Sequence, residues 1–338
     1  MGETQKKVVC ATRSDVAKLA GVSETIVSYV VNDNRYVDKH KRERVLEAIK
    51  ELNYQPNSIA RAMKGKNSNQ IVFIADGFQN GTFGEMLRHL DAYAYEKNYL
   101  LSLCANRNED DFIRQLISRR LDGIIISSIA FSENYIQQLI DAGIPVVLLQ
   151  NRDYKEVKGA GRILTGLYHG ARDSVSYLYG KGRRNILYID RVSEHNQFST
   201  LEDYRLRGFA DQMEAFDLPW KDRIITGCAS FDEVYAKIKN YMKENPIDAI
   251  FARNDNMACL GLQAVLREGK RVPEDISVMG FDSSDVSRYI TPALTTMEVE
   301  KKEVAKTALE MIAKMKETKQ RNLEEVQFTT KLIEREST

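Results

Sequence analysis

The chain of 338 residues is poor in what several protein classes require. Its four cysteines, Cys10, Cys104, Cys228 and Cys259, lie far apart and form no CxxC pair. A zinc ribbon, a redox motif and a disulfide-stapled scaffold all need closer thiols, so reduced, structurally ordinary cysteines are expected. No apolar run approaches the roughly 18 residues that would span a bilayer. The start, MGETQKKVVC, is basic but no long apolar stretch follows it, so it lacks the pattern of a secretory signal. A cytoplasmic location is expected. Motifs of catalysis are missing too. There is no GxxxxGK[ST] phosphate loop, no completed GxGxxG fingerprint, no HExxH and no GxSxG. The four histidines, His40, His89, His169 and His195, are scattered. Neither an enzyme nor a protein with a metal or organic cofactor is expected. No internal repeat or low-complexity tract is visible.

What is present is an ordinary globular composition, 43% hydrophobic and 29% charged, with a net charge of +1. The length suggests two or three domains. The charge is divided unevenly. Residues 1–66 carry 13 Lys/Arg against 8 Asp/Glu, and the remainder carries 36 against 40. A basic end on a slightly acidic body suits a chain whose end alone meets phosphates.

The first 66 residues read as short helices. Thr12 can cap one, with Asp15 reaching back as in a capping box, and Val16, Leu19 and Ala20 share its apolar face. Gly21 breaks it. Ser23 caps a second, ETIVSYVV, and Asp38 a third, with Val45, Ala48, Ile49 and Leu52 facing inward. Helix, glycine turn and second helix make a helix-turn-helix. Pro56 marks a break. Beyond it, SIARAMK is too short to hold a helix alone and reads as a supported linker capped by Asn57 and ended by Gly65.

From Gln70 the pattern alternates. IVFIAD, YLLSLCA, GIIISSI, IPVVLLQ, NILYID, DAIFAR and ISVMGFD read as buried strands. Amphipathic stretches such as Met86, Leu87, Leu90 and Ala94 separate them. Such runs imply parallel sheets covered on both faces. About 270 residues is much for one sheet, so two lobes with a cleft are expected.

RSDVAKLAGVSETIVSYVVN followed by KRERVLEAIKELNYQPNSIARAMKGKNS resembles the headpiece and hinge of the lactose/galactose-repressor family. DGIII, GIPVV, YRLRGF, FARNDNMACLGLQAV, VPEDISVMGFDSSDVSRYITPALTTMEV and LIEREST follow in family order, so the resemblance covers the chain from about Thr12. It implies an all-α helix-turn-helix headpiece over 1–56 and a hinge and linker over 57–69. An α/β body of two parallel-sheet lobes, like the periplasmic sugar-binding proteins, would fill 70–338. Lobe 1 would take about 70–167 and 296–325, and lobe 2 about 168–295 and 326–338. The implied function is a homodimeric DNA-binding regulator, a repressor on a near-palindromic operator, controlled by a small molecule of the sugar class. Regulation by a protein partner and a solute-binding module without DNA are the alternatives.

The resemblance also places contacts. Thr12, Ser23, Glu24, Thr25, Ser28, Tyr29 and Asn32 fall at DNA-facing positions of the headpiece. Thr25 and Glu24 can read bases, although Glu24 equally suits the helix dipole. Tyr29 stands where arginine is usual, which removes a bidentate guanine contact and leaves a phosphate contact or plain surface. Ser28 suits a phosphate. In the hinge, Asn57, Ala60 and Arg61 accompany Met63 as the minor-groove wedge. In the body, Asp76, Phe83, Gln150, Arg205, Asn254 and Asp282 are the implied effector contacts. Phe83 either stacks on a sugar or fills the core, Asp255 either contacts ligand or caps its helix, and Arg207 faces solvent. Gln150 replaces an acid, and RILTGLYHGA replaces a segment that often carries Asp. The family's leucine-rich tetramer tail is absent after LIEREST, so a dimer is expected.

Overall fold

The computed structural model describes residues 11–55, 68–77, 81–321 and 325–338. The chain divides into two compact units, Met1–Ser68 and Asn69–Thr338.

The headpiece contains α1 (Arg13–Ala20), α2 (Glu24–Asn32) and α3 (Lys39–Glu51). Local chemistry sets every start. Thr12 Oγ1 accepts from Asp15 N while Asp15 Oδ2 accepts from Thr12 N at 2.8 Å, the reciprocal capping box. Ser23 and Asp38 accept from Ile26 N and Lys41 N. Gly21 ends α1 with φ 63°. Val16, Ala17, Ala20, Val27, Val30, Val45, Ala48 and Tyr54 form the core. Leu19 departs from expectation: it is 47% exposed, and Ala17 takes the inward place.

The body carries two six-stranded sheets. Its first lobe holds β1 (Gln70–Ala75), α4 (Gly81–Glu96), β2 (Leu100–Ala105), α5 (Asp110–Ser118), β3 (Gly123–Ser127), α6 (Glu133–Asp141), β4 (Val146–Gln150) and β5 (Gly161–Leu164). The second holds α7 (Leu167–Gly180), β6 (Ile186–Ile189), α8 (Tyr204–Ala215), β7 (Ile224–Ile225), α9 (Phe231–Glu244), β8 (Ala249–Ala252), α10 (Asp255–Arg267), β9 (Ser277–Asp282), α11 (Val286–Tyr289) and β10 (Thr295–Glu298). The chain then returns to the first lobe with α12 (Lys301–Thr318) and β11 (Val326–Gln327), and ends in the second with β12 (Lys331–Ile333).

The strand orders are β11-β5-β4-β3-β1-β2 and β12-β10-β9-β8-β6-β7. All pairs are parallel except β12 with β10. Each sheet has a hydrophobic cluster on either face, as in any parallel sheet flanked by helices. The strands shift two expected lobe edges. β10 belongs wholly to the second sheet, so the return follows Glu298 rather than 296, and β11 belongs to the first, so the last crossover follows Gln327 rather than 325.

One strand corrects the sequence reading. YLLSLCA contains β2, but β2 is an edge, with Leu100 65% and Leu103 48% exposed. Apolar content alone does not tell an edge strand from a central one.

Candidate functional site

In open α/β sheets the ligand crevice lies at the carboxyl ends of the strands. The body obeys this rule in both lobes. Asp76 follows β1, Asn151 follows β4, Arg191 follows β6, Arg253 and Asn254 follow β8, Asp282 ends β9 and Val299 follows β10. All of them line one cavity of about 260 Å³. Phe83 of α4, Arg205 of α8, Phe231 at the start of α9 and Lys301 at the start of α12 complete its wall, with Ser193, Glu194 and His195 of the loop after β6.

Five of the six expected effector residues therefore meet in one place: Asp76, Phe83, Arg205, Asn254 and Asp282. Arg205 Nη2 donates to Asp282 Oδ1 at 2.6 Å, and its guanidinium lies 4.7 Å from the ring centre of Phe281. Arg205 Nε is buried without a hydrogen-bond partner. Asn254 lines the cavity, but its Oδ1 accepts from Met257 N at 3.0 Å and caps α10. Phe83 packs edge-on against Phe73, ring centres 6.0 Å apart, while lining the cavity, so both alternatives for it hold together.

Three expectations are corrected. Gln150 is buried but does not line the cavity. Oriented to satisfy both neighbours, its amide donates to Glu325 at 3.2 Å and accepts from Arg162 at 3.0 Å. Asp255 does not cap α10, because Asn254 does. Its buried carboxylate instead accepts from Thr296 Oγ1 at 2.6 Å and from Ser284 N and Oγ at 2.6 and 2.8 Å. Arg207 does not simply face solvent: it pairs with Asp153 at 2.9 Å and lies over Tyr204.

Burial pushes the Asp255 carboxyl up to about 6, helped by the nearby Asp282 charge and opposed by Thr296 and Ser284. Its folded pKa thus lies above the ordinary 3.8. Between those two values the unfolded chain has released a proton that the native state keeps. The stability this gives is complete below about 3.8 and is lost as pH rises through 6. The size is on the order of 2–3 kcal/mol. Asp255→Asn is expected to flatten that part of the stability curve, read by urea denaturation at pH 4.5 and 7. An unchanged slope would show that Asp255 does not carry it.

Sequence reading missed Arg191, Arg253, Phe231 and Lys301. Each of the three cations among them has a carboxylate partner. Arg191 meets Asp76 at 2.9 Å, Arg253 meets Asp203 at 2.5 Å and Lys301 meets Glu85 at 2.8 Å. Arg253 also donates to Ser199 at 2.7 Å, which ties the loop after β6 to the sheet. Burial would lower the Arg253 pKa, but Asp203, Tyr188 and Asp190 together outweigh it and the guanidinium is held charged. At Asp76 burial would raise the pKa, yet Arg191, Ser128 and the Ile129 N–H hold the carboxyl below its ordinary value. Phe231 carries a signal in sequence, an aromatic directly after the helix cap Ser230.

In the headpiece, Ser23, Glu24 and Thr25 are exposed at the start of α2, and Ser28, Tyr29 and Asn32 are half-buried further along it. Thr12 is exposed, with its hydroxyl committed to Asp15. Asn32 Nδ2 donates to Ser28 O at 2.6 Å and Oγ at 3.2 Å. Tyr29 has an unexpected neighbour. The Arg35 guanidinium lies 5.2 Å from its ring centre and donates to its hydroxyl at 3.3 Å. Asn57, Ala60, Arg61 and Met63 lie outside the described residues.

A helix-turn-helix unit followed by a two-lobed cleft domain defines a ligand-responsive DNA-binding regulator. Residues 12–57 match the family described as bacterial regulatory proteins, lacI family, and residues 175–338 match the periplasmic binding protein-like domain. The chain belongs to the LacI family of transcriptional regulators, and its body is the family's ligand-binding domain. It is 32% identical over 337 residues to the HTH-type transcriptional repressor PurR of Vibrio cholerae serotype O1 (strain M66-2), covering 97% of this chain and 98% of the relative. The Lac repressor dimer bound to operator and the anti-inducer ONPF has a similar fold, with a TM-score of 0.81 at 23% identity over 97% of this chain and 99% of that one. A LacI-type regulator from Alkaliphilus metalliredigens QYMF, solved with D-xylulofuranose, aligns at a TM-score of 0.67 and 27% identity, over 80% and 99% of the two chains. Among the described residues no helix is long and apolar enough to cross a membrane.

Proposed function

We propose that the protein is a repressor that binds a near-palindromic operator as a homodimer and answers to an uncharged polyhydroxylated effector, a sugar. The observation that carries the effector class is the charge balance of the cleft. Each lining Arg or Lys already has its own carboxylate, so an anionic ligand would have to break an ion pair. A sugar needs only to share these hydrogen bonds and to lay its apolar faces on Phe83 and Phe231. The D-xylulofuranose held by the Alkaliphilus relative supports this reading. Arg205, Asn254 and Asp282 supply the fixed polar contacts. The exposed β2 edge, with Leu100, Leu103 and the neighbouring Tyr95, supports the homodimer, because an open apolar edge is a liability unless it is covered.

On DNA, α2 enters the major groove with Glu24 and Thr25 nearest the bases, while Thr12, Ser23, Ser28 and Asn32 position the backbone. Arg35, held on Tyr29, returns the guanidinium that Tyr29 itself lacks. The hinge residues Asn57, Ala60 and Arg61, with Met63 as wedge, take the operator centre.

One experiment tests both halves. Operator-fragment titrations, with and without each member of a panel of neutral sugars, sugar phosphates and nucleosides, are expected to show a neutral sugar changing operator affinity. Arg35→Ala is expected to cost about 1–3 kcal/mol of operator binding. Met63→Ala should weaken it as well, with sugar-induced thermal stabilisation intact. A response confined to charged compounds would sink the sugar reading, and unchanged operator affinity in both variants would sink the DNA contacts.

A further inference from the structure

Asp76 has no acceptor left for a ligand. An ionised carboxylate offers about four lone-pair sites. Its Oδ1 accepts from Asn106 Nδ2 at 3.1 Å and from Ser128 Oγ, and its Oδ2 accepts from Ile129 N and Arg191 Nη1, each at 2.9 Å. Three of these donors belong to the first lobe and fix the carboxylate to it. The fourth, Arg191, follows β6 of the second lobe, 115 residues away in sequence. Both side chains are largely withdrawn from water, 8% and 17% exposed, so their attraction is weakly screened.

We propose that Asp76 and Arg191 form an ionic latch that holds the two lobes together across the cleft, with Asp76 acting as a positioning residue for Arg191 and not as an effector contact. Arg191 lines the cavity and has more N–H donors than the one given to Asp76, so it is the member of the pair that meets a ligand. The latch is made of protein groups alone, so it biases lobe closure even with no effector bound. A second interlobe contact flanks the cleft. Tyr204 N donates to Asn151 O at 2.9 Å, and Tyr204 Oη donates to Asp153 at 2.6 Å. That contact includes a backbone bond and should persist when side chains change, so it can serve as the pivot. Asp76–Arg191 rests on side chains only and can release.

Small-angle X-ray scattering of the full-length protein without DNA or sugar tests the latch. Arg191→Gln is expected to increase the radius of gyration, because the lobes part. Arg191→Lys keeps the charge on a shorter side chain whose single nitrogen lacks the guanidinium fork, and should give an intermediate value. A merely supporting residue would leave the radius unchanged while lowering the unfolding midpoint. Wild-type scattering from both variants, with far-UV circular dichroism showing them folded, would overturn the proposal. If Arg191→Gln does not fold, Arg191→Lys decides: an expanded radius supports the latch and a wild-type radius overturns it.

Discussion

Asp282→Ala is expected to destabilise the protein by about 3–5 kcal/mol and to abolish any stabilisation by sugar. Asp282 is 2% exposed and Arg205 11% in their side chains, and they meet at 2.6 Å. Removing the carboxylate leaves a guanidinium buried with Phe281 beneath it and without the ion-pair partner it has among the described residues. The cost is chiefly that of the stranded charge rather than of the lost attraction. Arg205→Ala takes from Asp282 the cation it meets at 2.6 Å, and there the neighbouring Asp255 adds repulsion. Urea denaturation of both single variants and of the double variant would measure the coupling. A double variant close to either single confirms that the pair acts as a unit, whereas simple additivity would show that it does not.

Gly208→Ala is the second large effect. Gly208 lies on α8, where α8 crosses α7. A methyl group there would sit 2.3 Å from the carbonyl oxygen of Tyr168 and 2.9 Å from Ala171 Cβ. Ordinary overpacking costs about 1–3 kcal/mol. Here the obstacle is backbone and cannot rotate away, so the helices must separate and at least the upper part of that range is expected. Arg205 lies one turn earlier on the same helix, and its guanidinium would move with it. Loss of stability together with weaker sugar binding is the expected outcome, read from denaturation midpoints and thermal shifts. A variant with the wild-type midpoint would show that α7 and α8 can part at little cost.

Much of the architecture was legible in the chain itself, for a definite reason. Capping and helix periodicity act over three or four residues, so Thr12–Asp15, Ser23 and Asp38 announce the headpiece helices without any tertiary information. Seven apolar runs mark seven of the body's strands, and the motif order carries the family. β5, β7, β10, β11 and β12, short strands that sit in no long apolar run, gave no such signal. Of the five expected effector residues that line the cavity, Asp76, Asn254 and Asp282 stand at strand ends, where chain order alone points to them.

Tertiary structure alone decided the pairing of charges. Asp76 with Arg191 and Arg205 with Asp282 are separated by 115 and 77 residues. Nothing local distinguishes Arg191 from a surface arginine. Only the meeting of two sheets at their carboxyl ends makes it a cleft residue. The same holds for Gln150, which chain order places at a strand end and packing turns toward Arg162 and Glu325. Sequence determined which segments form helices and strands, because those preferences are local. Which strand lies at an edge, which carboxylate is saturated and which cation faces the cleft depend on neighbours that only the folded chain supplies.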